Sequence, residues 1–162
     1  AMGLVTALRL AGYSAEYVAE YAKDVVYEKH LGKLEDQLYI FAKQNRRIER
    51  VLSSNFDFIV TDSPLFLSYF YGTKYSTLIP GLETVIFNCI NRHENINIFL
   101  HRNHPYQEEG RVQSEIETEE DSNRMENMLS DSFPDVPLYS YTTDGTPSTI
   151  DAIFELIKNN YT

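Results

Sequence analysis

Residues 56–64 read FDFIVTDSP, a short and strongly apolar run that ends in an aspartate, a serine and a proline. The run from Phe56 to Thr61 predicts a strand that is buried on both faces, because strands of parallel sheets are near-continuous apolar segments. Pro64 can open the helix that follows, since its fixed φ suits the first helical turn. The stretch therefore predicts a buried strand, a carboxylate at its end and a helix directly after it.

Strand-like and helix-like segments alternate on both sides of this stretch. The pattern predicts strands over 15–20, 56–61, 96–100 and 136–141, and helices over 4–11, 23–30, 34–52, 75–91, 114–129 and 149–159, with another opened by Pro64. This alternation is typical of an α/β domain with a parallel sheet, and we expect a single domain over residues 1–162. Such domains normally open with a strand, whereas this sequence opens with a helix, so we expect the sheet to lack a strand at its start.

The bulk composition narrows the class of protein. The chain has 162 residues, 43% of them hydrophobic, which is typical of a globular domain. Its formal charge of −10 argues against general nucleic-acid binding, which needs clustered lysine and arginine. The apolar runs are too short to cross a membrane and no secretory signal is visible, so we expect a cytoplasmic protein without a membrane partner. The lone cysteine, Cys89, is expected to be a buried hydrophobic residue.

Open α/β sheets bind ligands beyond the carboxyl ends of their strands, so the residues that follow each strand are the candidates for a site. These candidates are Glu20 and Asp24 after the first strand, Asp62 after the second, Arg102, Tyr106 and Arg111 after the third, and Thr143, Asp144 and Gly145 after the fourth. Carboxylates at this edge can hold magnesium or a sugar, and arginines can hold phosphates through paired hydrogen bonds. Residues 101–113 contain Pro105 and Gly110 and are expected to form a lid loop.

Each candidate also has an ordinary structural explanation. Asp62 suits a magnesium ligand or a catalytic base, but it equally suits a cap for the helix at Pro64. Glu20 and Asp24 lie four residues apart and can share a helical face toward a ribose, or can serve as a cap and a partner for Lys23. The two arginines can simply pair with nearby acidic residues. His101 and His104 lack further ligands at a useful spacing, so we do not predict a histidine metal site.

Taken together, the segments EYAKDVVYE at 20–28, IVTDSPLFLS at 59–68 and IFLHRNHPYQEEGRVQ at 98–113, with a Thr-Asp-Gly-Thr loop before the last helix, resemble one family. This is the AAA-type P-loop kinase family that includes the nicotinamide riboside kinase domain of NadR-type proteins, together with phage-encoded relatives. The resemblance covers nearly the whole chain and keeps the order of the segments. It implies a P-loop NTPase fold and transfer of a phosphoryl group from ATP, with Mg²⁺, to a nucleoside, nucleotide or nicotinamide riboside.

The resemblance also implies roles for individual residues. Asp62 is similar to the family's carboxylate near magnesium and the acceptor, and either Asp24 or Asp62 could be the base. Glu20, Asp24 and Tyr106 resemble acceptor-site residues, and Arg102 and Arg111 resemble lid arginines that neutralise the transferring phosphoryl group. Residues 143–146 resemble the loop beside the adenine.

The chain departs from this family at its start. The family begins with a strand and a Gly-x-x-x-x-Gly-Lys-Ser/Thr loop, and neither occurs in these 162 residues. The backbone cradle for phosphates and the lysine of that loop are therefore missing. We expect an N-terminally incomplete kinase domain, and the alternative is a relative that binds a nucleotide or a protein without catalysis. The oligomeric state stays open, although an exposed position where a central strand belongs would favour pairing with a second copy.

Overall fold

The computed structural model describes residues 1–103, 115–134, 137–143 and 146–161. In chain order the elements are helix α1 (Met2–Leu10), strand β1 (Ala15–Val18), helix α2 (Tyr21–Tyr27), a 3₁₀ helix (Leu31–Leu34), helix α3 (Gln37–Leu52), strand β2 (Phe58–Thr61), helices α4 (Phe66–Lys74) and α5 (Leu82–Ile90), strand β3 (Asn97–Arg102), helix α6 (Glu115–Ser132), strand β4 (Leu138–Thr143) and helix α7 (Pro147–Tyr161). The predicted α/β alternation is confirmed.

The four strands form two separate parallel pairs. Strand β1 pairs with β2, with Ala15 opposite Phe58 and Val18 opposite Thr61. Strand β3 pairs with β4, with Asn97 opposite Leu138. No hydrogen-bonded ladder joins β2 to β3, so the sheet predicted from the sequence is divided into two halves.

Helices α1 and α7 cover one face of both strand pairs. Their buried residues Leu8 and Ile157 belong to a single cluster that also takes up Val60 of β2 and Ile98 of β3. The two helices approach closely at Gly3, where an added Cβ would lie 2.4 Å from Cδ1 of Ile150. The two small sheets therefore share one hydrophobic core on this side.

The other helices form a second layer. Helix α3 packs against β1, β2 and α4, and α4 packs in turn against α5 and α6. Phe41, Leu65 and Ile86 form the centre of one cluster in this layer. Phe70 and Phe133 belong to a neighbouring cluster that includes side chains of α6. The buried position predicted for Cys89 is confirmed, since its side chain lies among these helices.

The carboxyl ends of all four strands lie on the same side of the molecule. Arg9 Nε, near the end of α1, donates a hydrogen bond of 2.8 Å to the carbonyl oxygen of Ala15 at the start of β1. The end of α7 lies beside the start of β4, where the hydroxyls of Tyr161 and Tyr139 are 3.2 Å apart. Both helices therefore run opposite to their strands. Because their first turns meet at Gly3, the carboxyl ends of both strand pairs share one edge.

The structure corrects the predicted second strand. All four residues of β2 are only half-buried, whereas the sequence predicted burial on both faces. The strand also begins at Phe58, two residues later than expected, because the carboxylate of Asp57 accepts hydrogen bonds from the backbone N–H and hydroxyl of Ser14. Asp57 therefore joins the β2 entry to the turn before β1 and leaves the ladder to start after it.

Helix α6 is less exposed than the sequence predicts for such an acidic segment. Asp121 is only 8% exposed, and its carboxylate lies 2.6 Å from Nζ of Lys74 on α4. Met125, Met128 and Leu129 pack against the cluster around Phe70. One side of the helix is therefore anchored to α4. Within the described ranges, no helix combines the length and the hydrophobicity that a membrane span requires.

Candidate functional site

Asp62 stands at the carboxyl end of β2 and is exposed. The hydroxyl of Tyr17, on the neighbouring strand β1, lies 2.9 Å from each of its carboxylate oxygens. Helix α4 begins only at Phe66, with Leu65 at the capping position and no side-chain capping bond. The structure therefore contradicts the capping interpretation of Asp62. Its carboxylate is positioned by a phenol and faces solvent at the edge where α/β sheets bind ligands.

Tyr17 carries the marks of this negative environment. Burial, the hydrogen bond to Asp62 and the negative charges of Asp62 and Glu20 raise the pKa of Tyr17 to about 12. The phenol therefore keeps its proton at neutral pH and acts as a donor toward Asp62. The influence of Glu20 also shows that the predicted carboxylates after β1 and β2 lie in one electrostatic neighbourhood.

Asp24 is held by a residue that the sequence did not single out. Its carboxylate accepts a short hydrogen bond from Nη2 of Arg47 on α3, so the predicted pairing of Asp24 with Lys23 is wrong. Arg47 also donates to the carbonyl oxygen of Ala19 at 3.2 Å and lies over the ring of Tyr21, 5.0 Å from its centroid. Glu20 occupies the capping position of α2 without a side-chain capping bond. Arg47 thus fixes the start of α2 against α3.

A buried amide adjoins the same helix start. Gln44 is 3% exposed, and its Oε1 accepts a hydrogen bond of 2.9 Å from the backbone N–H of Tyr21. Its Nε2 is buried and has no hydrogen-bond partner in the described part of the chain. Buried donors are normally satisfied by protein, water or ligand, so this amide marks a polar position beside α2. The Tyr21 hydroxyl lies nearby in sequence and is paired with that of Tyr39 at 2.7 Å.

The second strand pair brings two further predicted positions to the same edge. Arg102 ends β3, Thr143 ends β4, and the two residues are register partners. The backbone N–H of Asn103 donates to the carbonyl oxygen of Thr143 at 2.8 Å and extends the pairing by one bond. The other predicted positions on this side, Tyr106, Arg111, Asp144 and Gly145, lie outside the described residues, as does most of the predicted lid at 101–113.

The residues at this edge suit magnesium better than a triphosphate. Mg²⁺ in phosphoryl-transfer sites is commonly held by one or two carboxylates together with water and substrate phosphates, which a single exposed aspartate such as Asp62 can provide. Among the described residues, no group of three or more His, Cys, Asp or Glu is arranged to hold a metal. The sequence contains no Gly-x-x-x-x-Gly-Lys-Ser/Thr loop to surround the phosphates of ATP. These residues therefore fit Mg²⁺ and an acceptor, and do not by themselves fit the triphosphate.

Two members of the site could not be found from the sequence. Tyr17 is a tyrosine within a strand, which is ordinary strand composition. Arg47 belongs to a basic run that reads as a solvated helix face. Their roles arise from contacts with residues 45 and 23 positions away. Only pairing β1 with β2, and α2 with α3, would have drawn attention to them.

Removing the Tyr17 hydroxyl tests this arrangement. In the alkaline titration of tyrosinate absorbance, Tyr17→Phe should remove one phenol from the component near pH 12. Because the folded pKa is above the ordinary value, the wild-type hydrogen bond stabilises the fold below about pH 10, and this contribution disappears as the pH rises through about 12. The stability difference between wild type and variant should therefore shrink over that interval.

The exposed tyrosine of α2, Tyr27, provides the control for this experiment. Tyr27→Phe should leave the component near pH 12 unchanged. If Tyr17→Phe also leaves it unchanged, the contact between Tyr17 and Asp62 does not form in solution.

Comparison with known proteins adds no relative to this picture: no protein-family model, no curated protein and no solved structure matches the chain. The site is therefore interpreted from its own residues.

Proposed function

We propose that this chain takes part in ATP-dependent phosphoryl transfer to a nucleoside, nucleotide or nicotinamide riboside type acceptor. The observation that carries the proposal is Asp62, an exposed carboxylate at the carboxyl end of a parallel strand, held by the Tyr17 hydroxyl. In α/β domains this edge is the usual place for ligands, and a carboxylate there can hold Mg²⁺ or accept a proton from an attacking hydroxyl. The resemblance noted in the sequence supplies the reaction class.

The acceptor side of the site follows from the same edge. Asp62 would orient the acceptor hydroxyl and take its proton, while the neutral Tyr17 phenol keeps the carboxylate in place. Glu20 and the buried Nε2 of Gln44 provide an acceptor and a donor near the start of α2 for sugar or base atoms. Asp24 is already paired with Arg47, which favours Asp62 over Asp24 as the base. The phosphate-neutralising roles of Arg102 and Arg111 remain predictions from the resemblance.

A second candidate function is binding without catalysis. It is favoured by one specific observation, the absence of the glycine-rich phosphate loop from these 162 residues. Such a relative would bind the acceptor at the edge around Asp62 and would not transfer a phosphoryl group. It keeps the same acceptor site, so acceptor binding alone cannot separate the two candidates.

Two measurements on the same preparation separate them. Isothermal titration calorimetry with nucleosides, nucleotides and nicotinamide riboside tests acceptor binding, and radiolabelled ATP with Mg²⁺ and the same acceptors tests transfer. The proposal expects both binding and a labelled phosphate ester. Acceptor binding without labelled product would support the binding-only relative. If neither binding nor product is observed, both candidates are contradicted.

A further inference from the structure

The two strand pairs face each other along the unpaired edges of β2 and β3. The connections β1 to β2, β2 to β3 and β3 to β4 all pass through the helical layer of α3, α4, α5 and α6. Crossovers between parallel strands are right-handed, so connections on one face all step across the sheet in the same direction. The spatial order is therefore β1, β2, β3, β4. We call the space between β2 (Phe58–Thr61) and β3 (Asn97–Arg102) the inter-sheet groove.

The strands bordering this groove are less buried than their surroundings require. Both faces of the strand pairs carry helices, yet every residue of β2 is half-buried and Leu100 of β3 is 47% exposed. By contrast, Ala15 and Val18 of the outer strand β1 are 1% and 3% exposed. In a complete sheet an inner strand is more buried than an outer one. The exposure of β2 and β3 therefore lies on the groove side.

The groove also presents unsatisfied hydrogen-bonding groups. β2 and β3 are not hydrogen-bonded to each other and lack the close backbone contacts of sheet neighbours. A strand edge exposes a row of N–H and C=O groups and readily pairs with another extended segment. Both bordering strands point the same way, because their carboxyl ends share one edge. One extended segment running parallel to both can pair with both edges at once.

The surroundings of the groove define the chemistry of that segment. The cluster of α1 and α7, which includes Val60 and Ile98, covers one face, and α3 with its neighbours covers the other. A strand enclosed on both faces needs apolar side chains in both directions, so β-branched and other aliphatic residues suit it and charged residues do not.

The position of α1 indicates where the segment is attached. The first turn of α1 lies at the edge formed by the carboxyl ends of the strands, on the face opposite α3. A parallel strand in the groove would end at this edge, within reach of α1 through a short loop. The unit formed by that strand, α1 and β1 would be right-handed, as such units are.

From this geometry we propose that the inter-sheet groove is a docking site for an extended apolar segment that joins the amino-terminal side of α1 and pairs in parallel with β2 and β3. This occupancy unites the two half-sheets into one sheet of five strands. The inference does not depend on phosphoryl transfer, and its test requires no catalysis.

The test adds such a segment to the chain. One variant carries, ahead of Ala1, a six-residue run of alternating valine and isoleucine followed by a four-residue glycine and serine loop. A matched variant has proline at two positions of the run, which removes two N–H donors and prevents ladder pairing. Amide hydrogen exchange and thermal unfolding are compared with the unextended chain.

We expect the aliphatic extension to slow amide exchange in 58–61 and 97–102 by about tenfold or more and to raise Tm by about 5 °C, an amount typical of a modest stabilisation in a domain of this size. The proline variant should do neither. A cysteine at the centre of the run and Val60→Cys give a second readout, since neighbouring strands bring Cα atoms within disulfide range. Formation of that disulfide supports the proposal even if the extended chain resists exchange analysis.

Three outcomes would overturn it. The first is an aliphatic extension that neither protects these amides nor forms the disulfide. The second is equal protection by the aliphatic run added as a free peptide, which would remove the requirement for attachment to α1. The third is an unextended chain that sediments as a dimer with these amides already protected, which would make a second copy the occupant.

Discussion

Asp62→Asn is expected to lower the rate of phosphoryl transfer by about 10² to 10⁴-fold, the range associated with loss of a general base. The amide keeps the size of the carboxylate and an oxygen that can accept the hydrogen bond from Tyr17. It cannot take up a proton from an acceptor hydroxyl and is a poor ligand for Mg²⁺. Since Asp62 is exposed, the free energy of unfolding should change by no more than about 0.5 kcal/mol. Transfer assays under single-turnover conditions and urea unfolding measure the two quantities.

Asp57 supplies the matched control, because it precedes β2 just as Asp62 follows it. Its carboxylate binds Ser14 at the opposite edge of the sheet, and these hydrogen bonds hold the pKa of Asp57 below its ordinary value. Asp57→Asn should therefore leave the transfer rate unchanged. If Asp62→Asn transfers phosphate as fast as wild type, or if both variants lose activity equally, the assignment of Asp62 is wrong.

Phe70→Ala is expected to reduce the free energy of unfolding by about 3 to 5 kcal/mol, the usual cost of deleting a fully buried phenyl ring. The Phe70 side chain is 0% exposed and packs in the cluster with Phe66 and Phe133. Its ring lies 5.1 Å from that of Tyr71, and the guanidinium of Arg124 on α6 lies over it at 5.9 Å. The substitution should leave a cavity between α4 and α6 that these helices cannot close.

Urea unfolding followed by circular dichroism measures this loss, with Val85→Ala as the control. Val85 is also an aliphatic or aromatic residue on a helix of the same layer, but it is 48% exposed, so its truncation should stay within about 0.5 kcal/mol. A loss below about 1 kcal/mol for Phe70→Ala would show that α6 does not pack on α4 as described.

The sequence predicted the elements of this fold well because their signals are local. Apolar periodicity marked the helices, and the Pro80-Gly81 break correctly separated α5 from the preceding segment, with Gly81 at φ 85°. The end of β2 at Thr61 and the exposed carboxylate after it were also predicted correctly. These features depend on residues within a few positions of one another, where steric and capping preferences decide the outcome.

The features that the sequence missed depend on contacts between distant segments. Acidic α6 reads as a solvated helix, yet Asp121 is buried against Lys74, 47 positions away. The partner of Asp24 proved to be Arg47 on another helix. A local pattern does not specify which charged residue will meet an opposite charge when helices pack. The half-burial of β2 was missed for the same reason, since it depends on what lies beside the strand.

The contact between α1 and α7 at Gly3 and Ile150 has a consequence for how the chain acquires its structure. It joins the first helix to the last, so closing it requires nearly the longest loop that the polypeptide can form, and such contacts slow folding. During synthesis this side of the core must wait until α7 has left the ribosome, whereas α3, α4 and α5 can pack together earlier. Until then Leu8 and its neighbours on α1 lack their partner, which makes the nascent chain most prone to aggregation through its oldest segment.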